Sequence, residues 1–369
     1  MIKTQRYLAL DVLRGMTVAL MILVNNPGSW AHIYAPLEHA KWHGCTPTDL
    51  VFPFFLFVVG VSMFFSFSKY GNTLNKESLL KIGKRTLLIF AIGLFLNSFP
   101  QWTTDYSKLR ILGVLQRIAL AYGIGAVIVL VSPRKYLPYI GGGILLLYWG
   151  LLSWFGGNDP FSLEGNVTSV IDKAILGESH LYKGFGIPFD PEGLFSTIPA
   201  IVTVIIGYLI GSVVKDTEKI TVPKKLILVG TIFVAAGLIW GLVFPINKPI
   251  WTSSYVLYTA GWASIVLALL IWIIDLKGYS KWTSFFVVFG VNPLFIFALS
   301  GLWAKAMGRL VHFTDSDGKI ISGNAKLYRD FFLPLAGELN GSLLFAISHV
   351  VFFWMIGYVL YKKKIFIKV

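Results

Sequence analysis

The sequence predicts an all-α polytopic membrane protein with about ten transmembrane helices, one domain over residues 1–369 and both termini in the cytoplasm. Three observations carry this reading. Hydrophobic residues make up 56% of the chain and charged residues 14%, with a mean hydropathy of +0.71, well outside the balance of a soluble globular domain. The apolar residues come in runs near the ~20 residues that cross a ~30 Å hydrocarbon core. Between the runs, Lys and Arg gather in short clusters, rich and poor in alternation.

The spans fall at about 8–27, 48–68, 83–99, 111–131, 138–155, 193–214, 226–244, 254–275, 283–303 and 341–361. One set of connections carries Lys3 and Arg6, then Lys69, Lys76, Lys81, Lys84 and Arg85, then Arg134 and Lys135, then Lys215, Lys219, Lys224 and Lys225, then Lys277 and Lys281, and last Lys362, Lys363, Lys364 and Lys368. The short loops of the other set hold Lys41, Lys108, Arg110 and Lys248. The positive-inside rule therefore puts the first set in the cytoplasm; two long loops, 156–192 and 304–340, weigh less in that count.

The formal charge of +14 is read as topology and not as a nucleic-acid surface, which needs a polar, basic face instead of cations scattered between apolar runs. A lone Cys45 excludes an internal disulfide framework. The first span is expected to stay in the fold, because its apolar region is too long for a signal peptide and "NNPGSWAH" offers no small-residue cleavage site. Asn26-Pro27 and Asn292-Pro293 echo one another, which is too little for a repeat. The sequence leaves homo-oligomerisation open.

The stretch "PLEHAKWHGCTPTDLVFPFF", residues 36–55, concentrates chemistry on the outward side of the second span. Thr46, Pro47 and Asp49 read as a helix start, with Thr46 as N-cap and Asp49 reaching back from the third position. Helix termination does not explain Glu38, His39 and His43, which precede that cap. Neutral imidazole accepts a proton near neutral pH, so His39 or His43 is a candidate general base. A zinc reading of His39, His43, Cys45 and Asp49 is the minor one, since Pro36, Gly44 and Pro47 argue against the continuous helix that an H-x-x-x-H pair needs. No metal is expected.

Charged residues inside spans are functional candidates because burying them in hydrocarbon costs several kcal/mol unless they are paired or hydrated. Asp11 and Arg14, three apart, share a helix face and could pair with each other. Arg117 lies roughly 10 Å below Arg110 at 1.5 Å per residue, beside Gln116, with no acid in its own helix. It calls for a phosphate, a carboxylate or a partner such as Asp49. The only P-loop-like stretch, "SLLKIGKRT", lacks both the first Gly and the Ser or Thr after the Lys.

"LALDVLRGMTVALMILVNNPG", "EHAKWHGCTPTDLVFPFFLFVVG", "LRILGVLQRIALAYG", "FDPEGLFSTIPAIVTVIIGYLIG" and "NKPIWTSSYVLYTAGW" resemble, in this order, the membrane acetyltransferase domain of the heparan-α-glucosaminide N-acetyltransferase family and its bacterial relatives. The weakest match is the loop at 304–340. The resemblance implies transfer of an acetyl group across a membrane, a bacterial inner membrane for such a relative. Acetyl-CoA is supplied from the cytoplasm, and the amine of an amino sugar or glycan is acetylated on the periplasmic or outer face. The family's catalytic histidine lies in an "HAxWxG" segment, which selects His39; His43 stands where the lysosomal relative has Asn. The family's active-site asparagine, following "LVN", falls on Asn25, whose other role is to tie off a helix end. For CoA, Arg14 is the candidate at an inner helix end, and Arg117 and Gln116 lie nearer the reacting group. Asp49 and Trp42, with Asp190 and Glu192 of the family-like "DPEG", are secondary candidates for substrate contact, and Asp190 could instead be an N-cap. His39 serves either as base for direct transfer or as a nucleophile forming an acetyl-imidazole. Two rival functions are an O-acyltransferase of cell-surface polysaccharide and a secondary transporter, the latter having no need of an outward His-rich loop.

Overall fold

The chain punctuates its own helices. Pro opens the second, fifth, eighth and eleventh at the first or second position, where its missing N–H is not needed. Asn75, Asn166 and Thr252 cap others by accepting a backbone N–H. A computed structural model describes residues 7–68, 71–100, 106–315 and 317–367; Lys3, Arg6, Lys69 and Lys368, counted in the charge bias, lie outside the described residues.

Five helices follow in succession: α1 (Leu8–Asn25), α2 (Pro47–Phe67), α3 (Lys76–Ser98), α4 (Val114–Val131) and α5 (Leu137–Phe155). A short α6 (Val167–Leu176) lies in the long connection to α7 (Thr197–Asp216). Then come α8 (Val222–Trp240) and α9 (Ser253–Leu270), which runs on into a π-helical turn, Ile271–Leu276. After α10 (Thr283–Val291) and α11 (Pro293–Arg309), a small hairpin pairs β1 (His312–Thr314) antiparallel with β2 (Ile320–Ser322), Phe313 opposite Ile321. It leads through α12 (Gly323–Leu327) to α13 (Leu333–Lys362).

Among the described residues, eight helices are long and apolar enough to cross a membrane. The other two expected spans depart from the simple picture. The one expected at 283–303 is broken: α10 and α11 meet at 83°, because Pro293 has no N–H to donate and disfavours helical geometry at Asn292 (φ −127°, ψ 54°). The one expected at 83–99 forms α3, but Lys81, Lys84 and Arg85 interrupt its apolar run. Asp190 is not a helix N-cap, since α7 begins at Thr197 behind Ser196.

In the middle of the bundle, α2 and α7 are apolar on nearly every face, and 83% of the α7 span is buried against 28% for α5, α8 and α13, which therefore present themselves to lipid. α2 and α7 approach backbone to backbone: a side chain at Gly60 would run into the Val204 carbonyl, and one at Gly207 into that of Phe57. Membrane helices gain association energy from this kind of close packing, since apolar residues leave nothing behind on moving from lipid into protein. At the end of the bundle where α2 begins, Tyr148, Leu152, Val167, Phe189, Phe244 and Ile250 form a second apolar cluster. It anchors the 156–192 loop as a folded cap.

Gly60→Val should therefore force α2 from α7 and lower stability by about 1–3 kcal/mol. Gly142→Ala, on an α5 face with open space, should leave it unchanged or raise it by up to about 1 kcal/mol. Thermal unfolding of the purified variants in detergent checks this, and equal effects would contradict the close approach.

Candidate active site

The first turn of α2 places a carboxylate where it serves two ends at once. Asp49 is 1% exposed. Its Oδ2 accepts from the backbone N–H groups of Ala40 (3.0 Å) and Thr46 (3.1 Å) and from the Thr46 hydroxyl (3.1 Å), which is the reach-back expected of the helix start. Its Oδ1 lies 2.7 Å from His39 Nδ1. A carboxylate only accepts, so Nδ1 carries the shared proton and Nε2 presents its lone pair outward. The His39 side chain is 47% exposed, leaving that nitrogen open to a reactant. The capping contacts and the contact with His39 fall to different oxygens of one group.

Lys248 completes the cluster. Its Nζ is 3.3 Å from Asp49 Oδ1 and 3.1 Å from His39 Nδ1; since both nitrogens are donors, they converge on the same oxygen. The neighbouring Asn247, fully buried, donates to Trp42 O (3.0 Å), sits 3.3 Å from His43 Nδ1 and accepts from Ile250 N–H. Gly44 N–H donates to Ile246 O at 2.7 Å. The α8–α9 connection is thus laced along the His39 loop. Trp42 donates its Nε1–H to Phe161 O (2.8 Å) and packs edge-on to Phe185 and Phe189, so its indole is a peg into the cap formed by the 156–192 loop. Burial holds the His43 imidazole below its ordinary pKa, with Asp159 working against it.

Arg117 is completely buried, but Asp49 is not its partner. It donates to Gly193 O (3.2 Å) and Ser196 Oγ and lies 4.9 Å over the Trp251 ring. Its Nε and Nη1 have no hydrogen-bond partner among the described residues. Trp251 packs on Tyr255, whose hydroxyl donates to the Asp49 carbonyl at 2.5 Å. Arg117 thus backs the helix that holds the carboxylate. Asp190 and Glu192 are engaged by Arg110, which forks onto both Asp190 oxygens (2.8 and 2.7 Å) and reaches Glu192 at 2.7 Å. Gln116 is buried and donates to Ile111 O (2.9 Å).

Arg14 does pair with Asp11 (3.1 Å), as their spacing allowed, and also donates to Gly290 O (3.1 Å). It lines a cleft of about 330 Å³ with Lys81, Arg85, Ser62, Ser66 and Tyr122, where Arg85 stacks over the Tyr122 ring at 4.6 Å. The cleft follows α2 from Ser66 to Phe55. Phe55 is six residues from Asp49, roughly 9 Å along the axis.

Asn25 is the exposed last residue of α1; the hydrogen bond that ties off the helix comes from Asn26, whose Nδ2 donates to Ile22 O (2.7 Å). Burial, helped by Asp49 and opposed by Lys248, pushes the Cys45 thiol up to about 12, so it stays protonated near neutral pH. No group of three His, Cys, Asp or Glu side chains that could hold a metal is found among the described residues. In the sequence Lys248 and Arg110 stand as loop charges and within the family-like stretches "NKPIWTSSYVLYTAGW" and "LRILGVLQRIALAYG", with no site role given to either. Their position beside "PIWTSSY" and "ILGVLQR" was the available signal.

Around Arg117 the charges do not balance. Arg110 and Arg117 match Asp190 and Glu192, leaving Asp172 in excess. Burial pushes its carboxyl from an ordinary 3.8 to about 6, against the pull of the Phe195 N–H and Arg117 and with the help of Asp190. The unfolded chain releases this proton at lower pH than the folded one, so Asp172 should cost stability progressively from about pH 4 to 6 and constantly above. Asp172→Asn, which keeps an acceptor for Phe195 N–H, should be more stable at pH 7 by about 1–3 kcal/mol and lose that slope. Thermal unfolding from pH 4 to 8 checks it; parallel curves for the two proteins would refute it.

The family model for the heparan-alpha-glucosaminide N-acetyltransferase catalytic domain matches residues 6–239. The chain is 28% identical to heparan-alpha-glucosaminide N-acetyltransferase of Mus musculus and 27% identical to that of Homo sapiens, over 99% of its own length and 60% of theirs. It thus spans about 60% of the length of these relatives. The helix carrying Asp49, the His39 loop and Arg14, Lys81 and Arg85 of the cleft lie within the matched stretch, while Lys248 and the cleft residues Val291, Pro293, Leu294 and Ile367 lie beyond it; this chain belongs to the heparan-alpha-glucosaminide N-acetyltransferase catalytic family.

Proposed function

We propose that the protein transfers the acetyl group of acetyl-CoA to the amine of an amino sugar, donor and acceptor entering from opposite ends of the helix bundle. The observation that carries this reading is the His39–Asp49 pair, a half-exposed imidazole with one nitrogen held by a buried carboxylate and the other open. Family membership supports an acyl transfer, and the names of the mouse and human relatives supply the amino-sugar class.

In this mechanism a neutral amine attacks the thioester carbonyl as His39 Nε2 takes its proton; the C–N bond forms and the C–S bond breaks. The proton then passes from His39 to the departing thiolate. Asp49 stabilises the transient imidazolium, and Lys248 and Thr46 keep the carboxylate in place. Asn25 supplies an amide donor to the developing oxyanion. Direct transfer is preferred over attack by His39 itself, because the pair is built as a base with its orienting acid. A transporter needs no such pair.

The phosphates of CoA bind among Arg14, Lys81 and Arg85, whose cleft runs along α2 toward the pair in the direction an extended pantetheine arm would take. The Lys-rich end of the bundle is cytoplasmic in this reading, and the His39 loop is periplasmic or external. Arg117 and Gln116 act on the site through packing: Arg117 through Trp251 and Tyr255, and Gln116 by holding the turn before α4.

His39→Ala should lower turnover by about 10²–10⁴-fold with folding retained, while His43→Asn keeps most activity; labelled acetyl-CoA with purified variants measures both. Near-normal turnover in His39→Ala would sink the assignment, and transfer to hydroxyl sugars alone would replace the amine acceptor. Lys81→Ala and Arg85→Ala should each raise KM for acetyl-CoA severalfold, about 1 kcal/mol per lost phosphate contact, with kcat nearly unchanged.

In sealed, uniformly oriented vesicles, acetyl-CoA should act only from the side of Lys362 to Lys364 and the amino sugar only from that of His39. Activity with both substrates on one side would overturn the transmembrane part of the mechanism.

A further inference from the structure

Where α8 and α9 meet, Gly230 and Gly261 face each other's carbonyls so closely that neither position tolerates a side chain. Two to three turns farther toward the Lys-rich end of α9, the chain enters the π-helical turn Ile271–Leu276. π-Turns inside helices widen the coil and concentrate at functional sites. Beside this turn lies a groove of about 740 Å³, open to the lipid-facing surface. Its walls include Ile227 from α8 and Leu269, Trp272 and Leu276 from the other side. Ile227, Leu269 and Trp272 are 42%, 46% and 47% exposed, so the walls are apolar and uncovered.

The same groove also includes two cations, Lys224 and Lys277, both exposed. Lys277 Nζ lies 5.7 Å over the Trp272 ring, which directs the ammonium back over the groove. The carboxylates nearby are engaged elsewhere. Asp275 accepts from Leu8 and Ala9 N–H at 3.1 Å each, and Asp216 pairs with Arg134 at 2.6 Å. That leaves Glu218 against Lys215, Lys219, Lys224, Lys225, Lys277 and Lys281 in these connections.

We propose that this groove is a binding site for an anionic phospholipid, with an acyl chain along Ile227, Leu269 and Trp272 and the phosphodiester between Lys224 and Lys277. An apolar channel and a paired cationic rim at the headgroup level match both halves of such a lipid. A zwitterionic lipid brings its own ammonium against the two lysines and fits worse. A soluble phosphate forgoes the channel. The site is separate from the His39 cluster and the Arg14 cleft, so it does not depend on acetyl transfer.

The test uses the full chain in detergent, titrated with phosphatidylglycerol or phosphatidylcholine of identical acyl chains, with retained lipid counted by native mass spectrometry. The wild type should retain phosphatidylglycerol preferentially, and Lys224→Ala/Lys277→Ala should weaken retention by roughly fivefold or more, consistent with about 1 kcal/mol per juxtamembrane Lys. Lys224→Arg/Lys277→Arg should keep it, and Lys362→Ala/Lys363→Ala, which removes the same charge from the same end, should not weaken it. Leu269→Trp, filling the channel without touching charge, should also weaken retention and serves if the alanine pair does not fold. Glycerol 3-phosphate in excess should not displace the lipid. Equal retention of the two lipids, equal loss in the Lys362/Lys363 control, or displacement by glycerol 3-phosphate would each overturn the proposal.

Discussion

A carboxylate that is almost wholly shielded from solvent must have its charge answered by the protein, and at Asp49 the answer organises the end of the molecule where α2 begins. Two backbone N–H groups, a hydroxyl, an imidazole and an ammonium converge on its two oxygens. They come from the His39 loop and the first turn of α2, which adjoin in the chain, and from the α8–α9 connection, whose Lys248 is 209 residues from His39. Charge-assisted hydrogen bonds are shorter and stronger than neutral ones, so one buried anion sets where these segments meet. The imidazole is the one partner left half-exposed, and it is the one with a second nitrogen to offer. The same burial that demands compensation also orients the imidazole.

A second charge cluster lies one layer deeper and works differently. Arg110 is held by a bidentate carboxylate and a second acid, a complete pair. Arg117 is supported by a carbonyl, a hydroxyl and an indole face, with no carboxylate in direct contact. A guanidinium tolerates this because its charge is spread over a plane and is weakly hydrated. Through Trp251 and Tyr255 the cluster bears on the Asp49 backbone, so the floor of the site is polar yet closed. The cationic cleft opens from the opposite end along α2, and the two chemistries share a helix without sharing a surface.

The packing that permits this is backbone packing. Glycines at the α2–α7 and α8–α9 crossings bring main chains together without intervening side chains, which fixes the helices' relative height to within a turn. Height matters here, since a slip of one turn, about 5.4 Å, would part Tyr255 from the Asp49 carbonyl.

By itself the sequence determined the membrane class, most of the spans and the helix start at Thr46–Asp49, because hydropathy runs and capping chemistry are local in the chain; from the residues alone His39 and His43 were equal candidates, and the family resemblance chose His39. It also made the Asp11–Arg14 pair foreseeable, three residues apart on one helix. Tertiary structure alone decided the rest. The break at Asn292–Pro293 read as a continuous apolar run until the missing N–H bent it by 83°. Arg110 took Asp190 and Glu192, 80 and 82 residues away, and Lys248 came to Asp49 from a loop counted only for its charge. Arg117 donates to Gly193 O and Ser196 Oγ, 76 and 79 residues away, and lies over the Trp251 ring. A charged side chain inside a membrane bundle must find a partner, and its own neighbourhood in the chain states the need; which remote residue meets it depends on helix heights and rotations that only packing sets.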